Sequence, residues 1–150
     1  MFEARSDIDI DTPAEALFDV LWDVAKYPDF MTDMVDSWAE PGATPLEQIA
    51  THRVQFIRSR TYTVHLKAEP PTRISWKLVQ GENMRINEGH WLIQPRPDGA
   101  GCTLEYVLRI ELALKLPDAI VKRLTAFNLP TMMRQIKAHA EHLQRVGVSG

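Results

Sequence analysis

The sequence has little cysteine and no long hydrophobic run. Cys102 is the only cysteine in 150 residues, which excludes an internal disulfide and a cysteine-rich metal site. A single thiol also makes a reducing cytoplasm the expected compartment. No apolar stretch approaches the roughly 20 residues of a membrane span. The N-terminal stretch MFEARSDIDI is acidic and alternating, unlike a signal or transit peptide.

Sequence motifs of common catalytic sites are also lacking. The chain has no glycine-rich phosphate loop, no Gly-x-Ser-x-Gly elbow and no His-Glu-x-x-His helix. His139 and His142 are close enough in sequence to share a metal ion, but no third ligand is evident, and solvated histidines are the simpler interpretation. We therefore expect neither a metal nor another cofactor.

Charge is distributed unevenly along the chain. The length of 150 residues, with 45% hydrophobic and 25% charged residues, is typical of one globular domain spanning residues 1–150. Residues 1–40 carry eleven acids against two bases, whereas residues 117–150 carry five bases against two acids. The acidic N-terminal part argues against nucleic acid binding. It is interpreted as solvated surface, with a protein partner as the alternative.

Helical periodicity is strongest between residues 116 and 146. Apolar residues recur there at helical spacing in two sets, namely Ile120, Leu124 and Phe127, then Leu129, Met133, Ile136, Ala140 and Leu143. The two sets lie on nearly opposite sides of an ideal helix, and Pro130 stands where one gives way to the other. Because proline lacks an N–H and crowds the preceding turn, the pattern predicts two helical pieces, about 117–128 and 130–146, that meet at a kink or break.

Most of the remaining chain alternates between apolar and polar residues, as strands do. Residues 2–10 predict a first strand. A helix is predicted to follow, begun by a capping box of Thr12 and Glu15, and then a second short helical turn. Alternating runs between turn residues predict six more strands, near 35–40, 46–57, 60–69, 73–80, 84–95 and 101–112.

The order of these elements predicts how they pack. We expect an α+β fold in which a curved, seven-stranded antiparallel sheet wraps around the long C-terminal helix, with two short helices after the first strand. Such packing leaves a concave apolar space, which is the usual ligand site. The residues predicted to bind a ligand there are Tyr62, Val64, Trp76, Trp91, Tyr106, Leu124, Phe127, Met132 and Met133. Ordinary core filling is an equal alternative for the methionines.

Polar residues near this space supply weak candidates for catalysis. Arg85, Glu88 and His90 share one predicted strand. A bulge near Gly89 would let Glu88 or His90 enter the cavity for acid–base chemistry, whereas plain alternation leaves both in solvent. His52 has inward parity on its strand. It is predicted either to orient a carbonyl group or to be a satisfied buried histidine.

Several segments resemble the START/Bet v 1-like superfamily, also termed SRPBCC, and its helix-grip fold. They are IDIDTPAEALFDVLWDVAKYPDF, with an Asp-x-x-x-Tyr-Pro-x-Phe run at Asp23, Tyr27, Pro28 and Phe30, then EPPTRISWKLVQG, and NEGHWLIQP. Within the superfamily the chain resembles the polyketide cyclase/dehydrase and coenzyme Q-binding branch. This resemblance implies a hydrophobic ligand in the cavity, among lipids, quinones and polyketides.

Three functions agree with these features. The first is a non-catalytic carrier of a hydrophobic small molecule. The second is a polyketide cyclase/aromatase or dehydratase that guides a condensation by cavity shape and acid–base groups, and the third is an interaction protein with a vestigial cavity. We favour the first because no nucleophile–base pair stands out. Lys122 and Arg123 beside Ile120 also suggest transient contact with an anionic membrane surface. The oligomeric state stays open.

Overall fold

Strands predominate in the structure. The computed structural model describes residues 1–56, 58–113 and 116–147, and within these ranges the side chains of Phe56, Arg58, Asp118, Val121 and residues 124–127 lie outside the description. In chain order the elements are β1 (Phe2–Ile10), α1 (Ala14–Trp22), a 3-10 helix (Val24–Asp29), β2 (Met34–Pro41), β3 (Glu47–Phe56), β4 (Arg58–Glu69), β5 (Arg73–Gly81), β6 (Met84–Pro95), β7 (Cys102–Leu112) and α2 (Asp118–Arg145).

All seven of these strands form one antiparallel sheet, in the order β1-β7-β6-β5-β4-β3-β2. Consecutive strands from β2 to β7 pair as hairpins, and β1 pairs with β7. Short connections favour this arrangement, because a parallel pair needs a long crossover. The curved sheet, the long C-terminal helix and the short helices after β1 confirm the predicted α+β helix-grip fold.

Helix α1 begins without the predicted capping box. Its first backbone hydrogen bond runs from the Leu17 N–H to the Pro13 carbonyl, so Pro13 occupies the N-cap position. Thr12 lies one residue too early to cap the first turn and is buried instead. Its hydroxyl has no hydrogen-bond partner in the described part of the chain. The capping prediction is therefore wrong.

Helix α2 continues through Pro130, so the predicted break into two pieces is wrong. The proline offers no N–H to the Ala126 carbonyl, at a cost of about 3 kcal/mol in a helix interior. Packing of the helix against the sheet offsets this cost, since Ile136 and Ala140 are buried in the core as predicted. Leu143, which was also expected to be buried, is only partly so.

Helix α2 also closes the edge of the sheet at β1. Lys137 donates from Nζ to the Asp9 carbonyl at 2.8 Å, and the Asp11 N–H donates to Glu141 Oε2 at 2.9 Å. Lys137 and Glu141 are themselves paired at 2.6 Å. These contacts satisfy backbone groups that would otherwise form an open strand edge. They also fix the helix over the concave face of the sheet.

Candidate functional site

A cavity of about 190 Å³ lies between the concave face of the sheet and α2. Its walls come from the five strands β3 to β7, the 3-10 helix, the segment that leads into β2, and the middle of α2. Six of the residues predicted to bind a ligand line this cavity, namely Tyr62, Val64, Trp76, Trp91, Tyr106 and Met132. Period-two alternation therefore predicted that these strand residues share one face of the sheet.

The prediction is less accurate for α2. Met133 does not line the cavity but is buried in the core, because it is rotated by about 100° from Met132 around the helix axis. Leu129, Asn128 and Gln135 also line the cavity from this helix, and the two amides were not predicted to do so. The side chains of the other two predicted residues, Leu124 and Phe127, lie outside the described part of the structure.

Three aromatic rings form the wall at β5, β6 and β7. The ring centroids of Trp91 and Tyr106 are 4.5 Å apart, and those of Trp76 and Tyr106 are 5.6 Å apart. Gly89 makes room for this group. A Cβ at that position would lie 1.9 Å from the Val107 carbonyl oxygen and 3.0 Å from the Trp76 ring. A side chain there would therefore displace either β7 or the indole.

Asn87 is a polar residue of the cavity that the sequence analysis did not place there. Its Oδ1 accepts a hydrogen bond from Trp76 Nε1 at 3.0 Å, and its Nδ2 donates to Met84 Sδ at 3.5 Å. Burial raises the pKa of Tyr62 to about 12, and the polar Asn87 side chain opposes the rise. Asn87 has the same inward parity as Trp91, and this signal could have identified it.

His52 is a second polar residue of the lining and lies on β3. The side chain is 5% exposed, and its Nδ1 lies 2.8 Å from the Ser37 hydroxyl of β2. The ring stacks on Tyr27 with centroids 5.7 Å apart and is tilted against Tyr62 at 5.4 Å. Burial lowers the pKa of His52 to about 4, so the imidazole is neutral at pH 7.

Arg60 adds a buried guanidinium to the same lining. The residue is 1% exposed and lies on β4, two positions before Tyr62. A charged residue is rarely this deeply buried in a wall of apolar side chains. The alternation of β4 could have identified it, since Arg60 has the parity of Tyr62 and Val64.

The three polar candidates on β6 lie outside the cavity. Pairing of β6 with β7 is regular from Ile86 to Pro95, and the irregularity falls between Met84 and Ile86 rather than near Gly89. Without a bulge near Gly89, alternation turns Glu88 and His90 to the outer face.

On the outer face, Glu88 and His90 lie close to charged partners. Glu88 Oε1 accepts from Arg109 at 2.8 Å, His90 lies between Arg73 and Glu105, and Arg85 is exposed. The conditional placement of Glu88 or His90 in the cavity is therefore wrong.

The cavity opens beside Asp33 and Gln55, the lining residues that are exposed to solvent. Next to this opening, Gln135 of α2 donates from Nε2 to the Thr32 hydroxyl at 2.9 Å. The Thr32 N–H donates in return to Gln135 Oε1 at 3.3 Å. This reciprocal pair joins α2 to the segment that leads into β2 at the rim of the cavity.

His139, weighed above as a metal ligand, stacks on Phe30 instead, with ring centroids 4.2 Å apart. Within the described residues, no group of three His, Cys, Asp or Glu side chains is arranged to hold a metal ion. None of the described helices combines the length and the apolar character that crossing a membrane requires.

Solved structures of other proteins share this fold. A START superfamily protein from Mycobacterium smegmatis superposes with a TM-score of 0.84 at 18% identity, over 94% of this chain and 98% of that one. The Zhui aromatase/cyclase from Streptomyces sp. R1128 superposes with a TM-score of 0.86 at 16% identity, over 99% of each chain. At these identities the likeness concerns the fold alone.

Similarity of sequence identifies a family, beyond the shared fold. The ribosome association toxin RatA of Vibrio cholerae is 30% identical over 109 residues, which is 69% of this chain and 70% of that protein. Residues 1–146 match the family described as polyketide cyclase/dehydrase and lipid transport. The chain therefore belongs to the polyketide cyclase/dehydrase and lipid transport family, within the START/Bet v 1-like superfamily.

Proposed function

We propose that this protein binds a hydrophobic small molecule, such as a lipid, quinone or polyketide, and carries or presents it without changing it chemically. The observation that supports this most directly is the apolar, aromatic cavity between the sheet and α2. Transfer of apolar ligand surface from water into such a cavity supplies the binding free energy. The family description, which includes lipid transport, agrees with this function.

The volume of the cavity limits the part of a ligand that it can enclose. A dry apolar cavity of about 150 Å³ holds benzene. The present cavity of about 190 Å³ is slightly larger and should accommodate roughly one or two rings. A tail or larger ring system would extend through the opening beside Asp33 and Gln55. We expect the ring of a quinone or polyketide inside and the remainder at the rim.

The protonation states of the cavity favour binding over acid–base catalysis. An efficient general acid or base has a pKa near the working pH. Burial moves the pKa of His52 down to about 4 and that of Tyr62 up to about 12, and it also raises the pKa of Tyr27 and Tyr106. At neutral pH these groups keep their protonation state. They are therefore suited to hydrogen bonding rather than to proton transfer.

A cyclase is the second candidate, favoured by the fold shared with the Zhui aromatase/cyclase. A cavity can guide ring closure by shape alone, because holding reacting atoms close together accelerates an intramolecular step. The test is incubation with a linear poly-β-ketone thioester and analysis of the cyclised products. A carrier leaves the rate and the product pattern as they are in buffer, whereas a cyclase changes both.

An interaction protein with a vestigial cavity is the third candidate, favoured by the similarity to a ribosome association toxin. Cosedimentation with ribosomes in a sucrose gradient tests it. Retained ribosome binding in a variant whose cavity is filled would separate this activity from ligand binding. The described cavity has not collapsed, and for this reason we favour the carrier.

Contact with a membrane surface would assist exchange of such a ligand. Ile120, Lys122 and Arg123 are exposed at the beginning of α2. An apolar residue close to two bases suits the surface of an anionic bilayer. Flotation with phosphatidylserine vesicles should recover more of the wild type than of a Lys122→Glu, Arg123→Glu variant.

Filling the cavity tests the proposed function. Val64 is buried and lines the cavity, so Val64→Phe places a ring where the ligand would lie. Overpacking costs about 1–3 kcal/mol, and circular dichroism would verify that the variant is folded. We expect native mass spectrometry of freshly purified wild type to show a co-purified apolar ligand. We also expect an environment-sensitive apolar dye to bind the wild type, and both signals to be strongly reduced in Val64→Phe.

A matched control is available on the outside of the sheet. Val79 of β5 is 57% exposed and does not line the cavity, so Val79→Phe makes the same change in solvent and should keep full dye binding. Equal dye binding by wild type and Val64→Phe, or equal losses in the two variants, would contradict binding inside the cavity.

A further inference from the structure

His52 presents one polar atom to the cavity. Its Nδ1 lies 2.8 Å from the Ser37 hydroxyl, which leaves Nε2 as the other polar atom of the ring. Nε2 makes no hydrogen bond to any residue that the structure describes. It is also not one of the fully buried polar atoms that lack a partner, so its surface is partly accessible. Since His52 lines the cavity, Nε2 is available to a ligand there.

Ser37 determines which ring nitrogen carries the proton. The buried hydroxyl contacts Nδ1, and no other hydrogen-bond partner of this oxygen is found in the described part of the chain. If Nδ1 donated to the oxygen, the Ser37 O–H would be a buried donor without an acceptor, which costs about 1–3 kcal/mol. The Ser37 O–H therefore donates to Nδ1. The single proton of the neutral imidazole is then on Nε2.

Neighbouring rings hold the imidazole in this orientation. The stacked ring of Tyr27 is within 5° of parallel to His52, and Tyr62 closes against it from another direction at 57°. The Tyr27 hydroxyl is itself fixed by donation to the Leu21 carbonyl. A ring held by Ser37, Tyr27 and Tyr62 cannot readily turn Nε2 away, so the N–H vector is preorganised.

We propose that the cavity selects ligands whose ring carries a hydrogen-bond-accepting oxygen, such as an aryl ketone or quinone carbonyl, and that His52 binds this oxygen through Nε2–H. This inference rests on the proposed function and specifies the chemistry of the ligand. Ser37 is a positioning residue in this arrangement, because it acts on the ligand only through the tautomer of His52.

The other buried polar groups of the lining agree with an acceptor in the ligand. Arg60 carries N–H donors and a positive charge. Asn87 already uses Oδ1 to accept from Trp76. The positive charge of Arg60 favours an oxygen that carries partial negative charge, and Asn87 Oδ1 already accepts from a protein donor. A ligand whose polar group is an ammonium would not match it, because an ammonium has no acceptor and repels the guanidinium.

Two probes of nearly equal size test the selection. Tetralin has no polar atom, and 1-tetralone has the same fused rings with one carbonyl. The measured quantity is the ratio of their affinities, obtained by isothermal titration calorimetry for each variant of the full chain. Differences in hydration between the probes are common to all variants, so a change in the ratio reports contact with the carbonyl.

Substitutions of His52 should change this ratio in a defined order. In His52→Phe, which has no ring N–H, we expect the preference for 1-tetralone to fall about three- to tenfold. His52→Gln places an amide N–H near the former Nε2 and should keep part of the preference. His65→Gln is the matched control, because His65 lies on the outer face and pairs with Glu47 at 2.9 Å. It should leave the ratio unchanged.

Nitrogen-15 NMR of the imidazole gives a readout that requires no ligand and no variant. We expect a protonated Nε2 and an unprotonated Nδ1 for His52 in the wild type at pH 7. A proton on Nδ1, or an unchanged ratio in His52→Phe, would overturn the inference while leaving ligand binding intact. Failure of both probes to bind the wild type would overturn the proposed function, and the inference with it.

Discussion

The buried imidazole of His52 links the ligand cavity to the stability of the fold. In the native state burial lowers the pKa of His52 from 6.5 to about 4, whereas in the unfolded chain the ring titrates near its ordinary value. Between these two pH values the unfolded state binds more protons than the native state. The free energy of unfolding must therefore fall as the pH drops through this window.

We predict that the wild type loses more stability than His52→Gln when the pH falls from 7 to 5. One shifted group contributes about 1.4 kcal/mol per pH unit within its window, so the difference should be about 2 kcal/mol. Urea unfolding at the two pH values measures it, with His65→Gln as the control for loss of an imidazole elsewhere. Identical losses in the wild type and His52→Gln would show that His52 is protonated as readily in the native state as in the unfolded chain.

At the level of single residues, alternation predicted the apolar wall better than the polar groups within it. Tyr62, Trp76 and Trp91 have inward parity on regular strands, and the structure places all three at the cavity. Asn87 and Arg60 have the same parity, but a polar residue is expected outside unless its buried partners are known. The partner of Asn87 Oδ1 is Trp76 on the neighbouring strand β5, and the alternation within one strand does not reveal a pairing between two strands.

The two halves of α2 differ in how firmly the rest of the fold holds them. Residues after Pro130 are held by the buried Ile136 and Ala140 and by the bond from Lys137 to Asp9. The residues before it include the exposed Ile120. The helix also lacks one backbone hydrogen bond at Pro130. The half before Pro130 should therefore open locally while the rest stays folded.

We predict faster amide hydrogen exchange in residues 118–129 than in residues 132–144, and slower exchange in 118–129 after ligand binds. Pro130→Ala restores a donor within the helix, so it should slow both this exchange and ligand release. Hydrogen exchange with mass spectrometry and stopped-flow displacement of the dye measure the two effects. Equal protection of both halves, with no response to ligand, would leave Pro130 without a role in ligand entry.

The sequence predicted the strands almost completely. It was wrong about the cap of α1 and about a break in α2. Strands such as Met84–Pro95 have a regular alternation bounded by turn residues, and this local signal determines them. The predicted break at Pro130 ignored the packing of α2 on the sheet, which holds the helix together across the proline. The capping box of Thr12 and Glu15 failed because the start of α1 is set at Pro13.

At the scale of the whole molecule, the order of elements was sufficient to predict the helix-grip fold. One long helix and a meander of antiparallel strands have few ways to bury their apolar faces together. The size of the space left between them could not be predicted in the same way. It depends on how far Met132, Leu129 and the strand aromatics fill the gap, and this is a property of side-chain packing across distant segments.

A small apolar ligand in the space between the sheet and α2 would contact two of the four tryptophans. Trp76 and Trp91 line the cavity, whereas Trp38 is 45% exposed on β2 and Trp22 stacks on Phe18 of α1. The most direct measurement is a titration of indole-¹⁵N-labelled protein with 1-tetralone, monitored by NMR.

We predict saturable shifts of the Trp76 and Trp91 indole N–H signals, with those of Trp38 and Trp22 unchanged and no response in Val64→Phe. Shifts confined to Trp38, or no saturable shift at Trp76 and Trp91, would contradict ligand binding in this cavity.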